Sequence, residues 1–547
     1  MNADETFEII TKETIKKFLA KNPDLATSLG LHDPYDHLLP NASTLNLREN
    51  LGLEDEWIKQ LKGRVNYEEL SQDNKLDWKI IEKSHEISLF NFHERRQYEL
   101  NPDAFETIGG LIFIMLTRDY APFEKRIDAI ASRMEKIPKY LEEFHTRFEK
   151  SKPVKLWVQT SLESAESMGG MFQFVLHVSK GKVPDKTYER LRKAIENLEP
   201  TLKAHLGWLN SLLVRSSDDW ALGREKFEKL LRLRELGLTS DEILKFGEKS
   251  LKELKVARKK LIQQMAPGKS EDELMKKIEG DAPKTFEDAL KFTEQTMEEA
   301  RRFVQAKNLV TVDQEDILLV RETPGFIAPL IPFAALTMPA KYDKPQIGIY
   351  IVTRPRDPSN LGKHLNYSSI RNTAVHEGFP GHFLQGATSN RGSVIRLLVD
   401  GTETCEGWAH YCEQMMAEKG FICDNETRLI QVNDMIWRAV RIILDVKLSR
   451  GEMSFEEGVQ MLVTETGMSQ EAATAEVKRY TQTPGYPLSY LLGKHLILQL
   501  KEEVKKKMGN TFDEKLFHDT IVANGFLPMS MVRKVFEQKI GRLASTR

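Results

Sequence analysis

Disulfide bonds cannot organise this chain, because it has three cysteines (Cys405, Cys412 and Cys423) in 547 residues. So sparse a supply suits a reducing compartment and excludes a cysteine-stapled secreted scaffold. No uninterrupted apolar run is long enough to span a bilayer. The longest apolar stretch, 326–340, lacks charges but is short and carries three prolines. The first residues are acidic and lack an apolar signal region, so a cytoplasmic protein with no membrane partner is expected. A net charge of −2 with no long basic stripe argues against a nucleic-acid partner. No internal repeat and no low-complexity linker is visible, which disfavours a solenoid scaffold.

What remains is a soluble composition, 40% hydrophobic and 29% charged, on a chain long enough for more than one lobe. Leu, Ile, Phe and Ala recur at three- and four-residue intervals over 5–20, 64–98, 120–150, 184–215, 224–265 and 286–306. Helix stops stand at Asn22-Pro23, Pro267-Gly268 and Asp281-Ala282-Pro283. Over 321–355 the prolines at 324, 329, 332, 339 and 345 forbid long helices, and Ile347 to Thr353 is a β-branched, aromatic run that predicts a strand. Helical periodicity returns over 425–449, 454–466, 469–481 and 487–508. The expectation is a mainly α protein. A helical region over 1–320 precedes a region over 321–547 with a small β element at 321–355, the whole read as one continuous structural unit.

The chemistry concentrates in His376-Glu377-Gly378-Phe379-Pro380-Gly381-His382. This is a stretched relative of H-E-x-x-H, in which two His bind zinc and the Glu is a general base. Six residues apart on a regular helix, the imidazoles would stand about 120° out of phase and ~9 Å apart along the axis. Pro380 forces a kink or bulge, and Gly381 tolerates it, so His382 can return to His376. The alternative is that Pro-Gly simply ends a helix and His382 is a loop residue. Downstream, Glu403, Glu406, His410 and Glu413 follow an i, i+3, i+7, i+10 pattern on one helical face. With no Lys or Arg before Lys419, that stripe reads as a third ligand with its orienting groups, or as an acidic surface stripe. Cys405 and Cys412 lie off this face and read as small buried residues.

H-E-G-F-P-G-H followed by E-T-C-E-G-W-A-H-Y-C-E resembles the signature of the Domain of Unknown Function 885 family. The order and spacing also resemble the H-E-x-x-H metallopeptidases of the thimet oligopeptidase and neurolysin group, and a gluzincin-type core is implied. By that likeness His376, His382 and Glu406 are the zinc ligands and Glu377 the base, with Glu403, His410 and Glu413 behind them. A later block, Arg479-Tyr480 through Pro484-Gly485-Tyr486 to Tyr490 and Gly493, resembles the family's late R-Y…P-G…Y…G segment. Tyr486 and Tyr490 are then oxyanion donors, or simply packing tyrosines. Phe383, Ser449 and Tyr486 depart from the family pattern, which touches no implied ligand.

The implied function is a zinc-dependent hydrolase, one ion per chain, acting on a peptide or a small amide. Mn²⁺ or Co²⁺ would also suit the donor set. A carboxypeptidase needs a cation for the substrate carboxylate, and Arg438, Arg441, Arg479 and Lys494 are the candidates. The strand at 347–353 would act as a substrate-aligning edge or as a structural hairpin. A non-catalytic metal-binding protein is the rival reading. The sequence leaves the oligomeric state open, a homodimer included.

Overall fold

The computed structural model describes residues 1–268, 270–324, 328, 331 and 333–545. The chain forms two compact units, and they do not divide at the composition change near 320. One comprises Met1–Trp220 with Ala340–Asp343, the other Ala221–Pro339 with Lys344–Arg547. Composition shifts where the β element begins, whereas a unit is defined by which helices share a core. The helix Arg224–Leu233 already belongs with the second core.

The first unit is helical. Its helices include Ala3–Lys21, Thr44–Arg64, Gln72–Phe90, Phe105–Thr117, Phe123–Met134, Ile137–His145, Lys155–Ser179 and Asp185–Leu213. Periodicity located the first and last of these closely. It missed Thr44–Arg64 and the two helices that carry glycine pairs, Gly109-Gly110 and Gly169-Gly170. Glycine lowers helix propensity, and burial of Ile108, Leu111, Met168 and Met171 overrides it here. The expected helix at 120–150 is interrupted where Pro138 starts a new one at its first turn. A strap from the second half of the chain joins this unit: the Tyr342 amide donates to the Leu29 carbonyl at 2.9 Å. Asp343 lies 3.6 Å from His32, which also pairs with Asp36 at 3.0 Å.

The second unit holds a three-stranded sheet beside a helical body. The helix α1 (Phe286–Ala306) leads to strands β1 (Ile317–Glu322), β2 (Ala334–Thr337) and β3 (Ile347–Val352). The strand expected at 347–353 is therefore present, but its expected place at an edge is not. The sheet order is β1-β3-β2, with β1 parallel and β2 antiparallel to β3. Both sides of β3 are already hydrogen-bonded, so it cannot receive a substrate strand. Residues 325–327, 329, 330 and 332, inside the proline-rich stretch, lie outside the described residues. Tyr350 and Val352 of β3 pack with Phe286 and Met297 of α1 and with Ala374. That contact fixes the turn just before His376 against the sheet.

The site-bearing helices follow: α2 (Tyr367–Thr373), α3 (His382–Ser389), α4 (Thr402–Glu418), α5 (Asn425–Ser449), α6 (Gln470–Gln482) and α7 (Ser489–Met508). Among the described residues no helix is long and apolar enough to cross a membrane.

Candidate metal centre

The chain resolves the six-residue spacing by breaking the helix. Beyond α2 it widens into one π-helical turn, Ala374–Gly378, and Phe379 is extended at φ −121°, ψ 125°. The Phe379–Pro380 peptide is cis, and α3 begins at His382. Pro-Gly therefore does end one helix, but His382 is not a loop residue: it opens α3 and returns to His376. Their ring centroids are 4.8 Å apart and nearly perpendicular. The reversal folds the chain onto its own backbone, and a Cβ on Gly381 would overlap the carbonyl oxygen of His376. From α4, the Trp408 Nε1–H donates to the Pro380 carbonyl at 2.8 Å. The buried Trp408 thereby pins the turn to the helix that carries Glu406.

Glu406 Oε2 stands 3.2 Å from His382 Nε2 and 4.0 Å from His376 Nε2. His376, His382 and Glu406 each offer a donor atom, all within 4.8 Å of one another. Tetrahedral zinc with bonds near 2.0–2.1 Å separates its ligands by about 3.3 Å, so this donor set fits a zinc-sized ion. Burial raises the cost of ionising Glu406, yet His382, His376 and Tyr486 outweigh it and hold its pKa down at about 2. Burial likewise opposes charge on His382, but Cys405 and Glu406 drive its pKa well above the ordinary value. A buried and a half-buried imidazole facing a buried carboxylate make a centre that attracts a cation, a proton or a metal.

His376 is oriented from behind. Its Nδ1 lies 2.7 Å from Glu413 Oε1, which leaves Nε2 directed toward Glu406. Glu413 also accepts from Asn372 Nδ2 at 3.3 Å, and Asn372 donates to Asp434 at 3.0 Å. Gln431 donates to the Asn372 side-chain oxygen at 3.0 Å and the Glu413 carbonyl at 3.1 Å. Sequence reading missed this polar layer, because Asn372, Gln431 and Asp434 are isolated residues on two different helices. His410 belongs to a second donor group with His376 and Glu413. Its Nδ1 is 3.3 Å from Glu413 Oε1 without hydrogen-bond geometry, and among the described residues neither ring nitrogen has a hydrogen-bond partner. Burial, with Arg438 and His376 nearby, holds its pKa well below 6.5, so His410 is neutral.

Glu403 does not join the site. Although it shares the stripe, its carboxylate pairs with Arg234 at 2.7 Å. Arg234 also donates to Ser489 Oγ at 3.0 Å and to the Gly485 carbonyl. Glu403 lies at the start of α4, where α7 and the chain before it cross, so its role is to tie those segments together. The sequence held no signal for Arg234, which is 169 residues away.

The tyrosines are at the site. Tyr486 donates to Glu406 Oε1 at 2.7 Å, and Tyr490 donates to the Tyr486 hydroxyl at 3.3 Å. Burial and Glu406 push the Tyr486 pKa far up, so it remains a hydrogen-bond donor. The turn bearing Tyr486 is clamped by Asp445 of α5, which accepts from the Gly485 and Leu488 amides at 2.8 and 2.9 Å. Arg441, Arg438 and Arg479 border the tyrosines, not the ligands. Arg441 lies 4.6 Å from the Tyr490 ring centroid and Arg479 5.7 Å from that of Tyr486. Glu377 sits on the π turn, half-buried. Among the described residues its carboxylate takes no hydrogen bond and no ion pair. Cys412 is buried as expected, but Cys405 is only half-buried and its Sγ lies 3.7 Å from His382 Nδ1.

The fold recurs in two solved structures. One, a "putative lipoprotein of unknown function" from Shewanella oneidensis, superposes with a TM-score of 0.78 at 21% identity, covering 97% of this chain and 99% of that one. The other, a "putative lipoprotein" from Colwellia psychrerythraea, gives 0.85 at 16% identity, covering 99% and 100%. Identities this low establish the shared fold and nothing about activity. No curated protein matches the chain. The profile of DUF885, bacterial proteins of unknown function, matches residues 23–535, so the chain belongs to the DUF885 family.

Proposed function

We propose that this protein is a zinc-dependent hydrolase, most simply a metallopeptidase cleaving short peptides. One observation carries the reading. His376, His382 and Glu406 bring three donor atoms within 4.8 Å, while Glu377, beside the first of them, keeps a carboxylate with no partner among the described residues. Three protein ligands leave a coordination position open, as catalytic zinc sites do and structural ones do not. A bound Zn²⁺ supplies Lewis acidity and makes a water acidic enough to lose its proton near neutral pH.

The chain's own groups then divide the work. Glu377 takes the proton from water and returns it to the leaving nitrogen. Glu413 holds His376 in the tautomer that presents Nε2. Tyr486 and Tyr490 hold their hydroxyls beside Glu406, and on turning from its present acceptor either O–H would donate to an oxyanion formed there. Unpaired cysteines suit a reducing compartment such as the cytoplasm.

Mass-spectrometric profiling of a mixed peptide library, with wild type and Glu377→Gln both loaded with zinc, tests this. Cleavage by wild type alone is the expected result. No cleavage by either, with zinc bound at one ion per chain, would overturn the peptidase reading and favour a non-peptide amide substrate.

A further inference from the structure

Four cations crowd the far side of the tyrosines: Arg438, Arg441, Arg479 and Lys494. Two carboxylates answer them. Glu476 is shared by Arg441 at 3.0 Å and Arg479 at 2.8 Å, and Asp434 pairs with Arg438 at 3.2 Å. Lys494 is 6% exposed, and its Nζ meets only the Met435 thioether, at 3.3 Å. Among the described residues no carboxylate pairs with it. Arg438 keeps a buried Nε–H with no acceptor. Glu413 and Glu418 act on Lys494 only through space. A buried charge with no contacting counter-ion is costly, so the open donors of Lys494 and Arg438 call for an anion from outside the chain.

The position of these donors is informative. Tyr490 and Lys494 are one helical turn apart on α7, and Arg438 lies 5.8 Å from the Tyr490 ring centroid. Tyr490 is itself two hydrogen bonds from Glu406. The cations therefore begin one side chain away from the candidate ligands. Arg441 is committed to Tyr480 and Glu476, and serves to fix the floor against Tyr490. The groups with free donors are Arg438 and Lys494.

We infer that Arg438 and Lys494 receive a carboxylate of the substrate, so that cleavage falls at a short, fixed distance from that carboxylate. The inference rests on the peptidase reading above. The carboxylate is either the free C-terminus of a peptide or an acidic side chain. Both present the same two oxygens to a guanidinium and an ammonium.

The test uses zinc-loaded full-length protein and one short peptide sequence in three forms: free acid, C-terminal amide, and amide with a single internal Glu. The expected result is a kcat/KM at least about tenfold higher for the free acid than for the plain amide, as loss of a charge-assisted contact implies. Arg438→Gln and Lys494→Met should each raise KM for the acid by about tenfold, with a smaller effect on kcat and a clearly smaller effect on the plain amide than on the acid. Zinc content reports whether each variant is intact. If Lys494→Met fails to fold, Arg438→Gln decides alone. If the internal-Glu amide is cleaved as well as the acid, in a register that follows the Glu, the inference stands with a side chain as the carboxylate. Equal cleavage of all three forms, still abolished by Glu377→Gln, overturns this inference and leaves the peptidase reading standing. No cleavage by wild type overturns both.

Discussion

Gly407 of α4 and Gly493 of α7 meet backbone to backbone where the two helices cross. A Cβ on Gly493 would overlap the carbonyl oxygen of Glu403, and one on Gly407 would overlap Gly493 itself. This close approach sets Tyr486 and Tyr490 against Glu406 and His410. Gly493→Ala must push the helices apart. The expected cost is about 1–3 kcal/mol of stability, and the Tyr486–Glu406 hydrogen bond should loosen. A lowered melting temperature together with reduced turnover is the expected pair of readings. An unchanged melt would contradict the crossing.

Glu377→Gln should keep zinc at wild-type stoichiometry while turnover falls by about a hundredfold or more, the usual weight of a general base. Metal analysis beside peptide cleavage separates the two effects. Full activity in this variant would remove Glu377 from the mechanism.

The ligands should behave in the opposite way. His376→Ala, His382→Ala and Glu406→Ala are expected to lose zinc outright. Glu413→Gln should weaken zinc by about ten- to a hundredfold, because it releases His376 Nδ1 without removing a ligand. A competition titration with a chelating dye reads both. Equal zinc affinity in Glu413→Gln and wild type would argue that the 2.7 Å contact is only structural.

Tyr486→Phe and Tyr490→Phe should lower kcat with little change in zinc content. Loss of one oxyanion donor typically costs about a hundredfold or more. Tyr486→Phe should be the more severe, since its hydroxyl contacts Glu406 directly. A larger effect from Tyr490→Phe would place the donor one residue turn further along α7.

A pH effect is expected in the first unit, away from the candidate site. Burial lowers the pKa of His32, but the neighbouring carboxylates of Asp343 and Asp36 outweigh it and raise the value to about 8. Folding therefore favours the protonated imidazole. The stabilisation is fully present below the unfolded value of 6.5 and is lost as pH rises through about 8. Thermal melts across that window should fall with rising pH, and His32→Gln should flatten the dependence. An identical slope in both proteins would assign the effect elsewhere.

Much of this molecule is local and could be read before any coordinates. Apolar residues at helical intervals located 286–306 and 425–449 within a residue or so. Pro380-Gly381 predicted a break between two imidazoles, and a β-branched run predicted β3. These follow from short-range sterics and side-chain period, which residue order states directly. Folding alone decided that β3 is central, that the units part at 220, and that Glu403 faces Arg234 while Glu413 faces His376. Glu403 and Glu413 occupy the same stripe of α4 and are indistinguishable by spacing. What separates them is which distant segment arrives beside each, Arg234 at one end of the helix and the π turn at the other. Such long-range partners depend on how whole helices pack, and no local pattern encodes that.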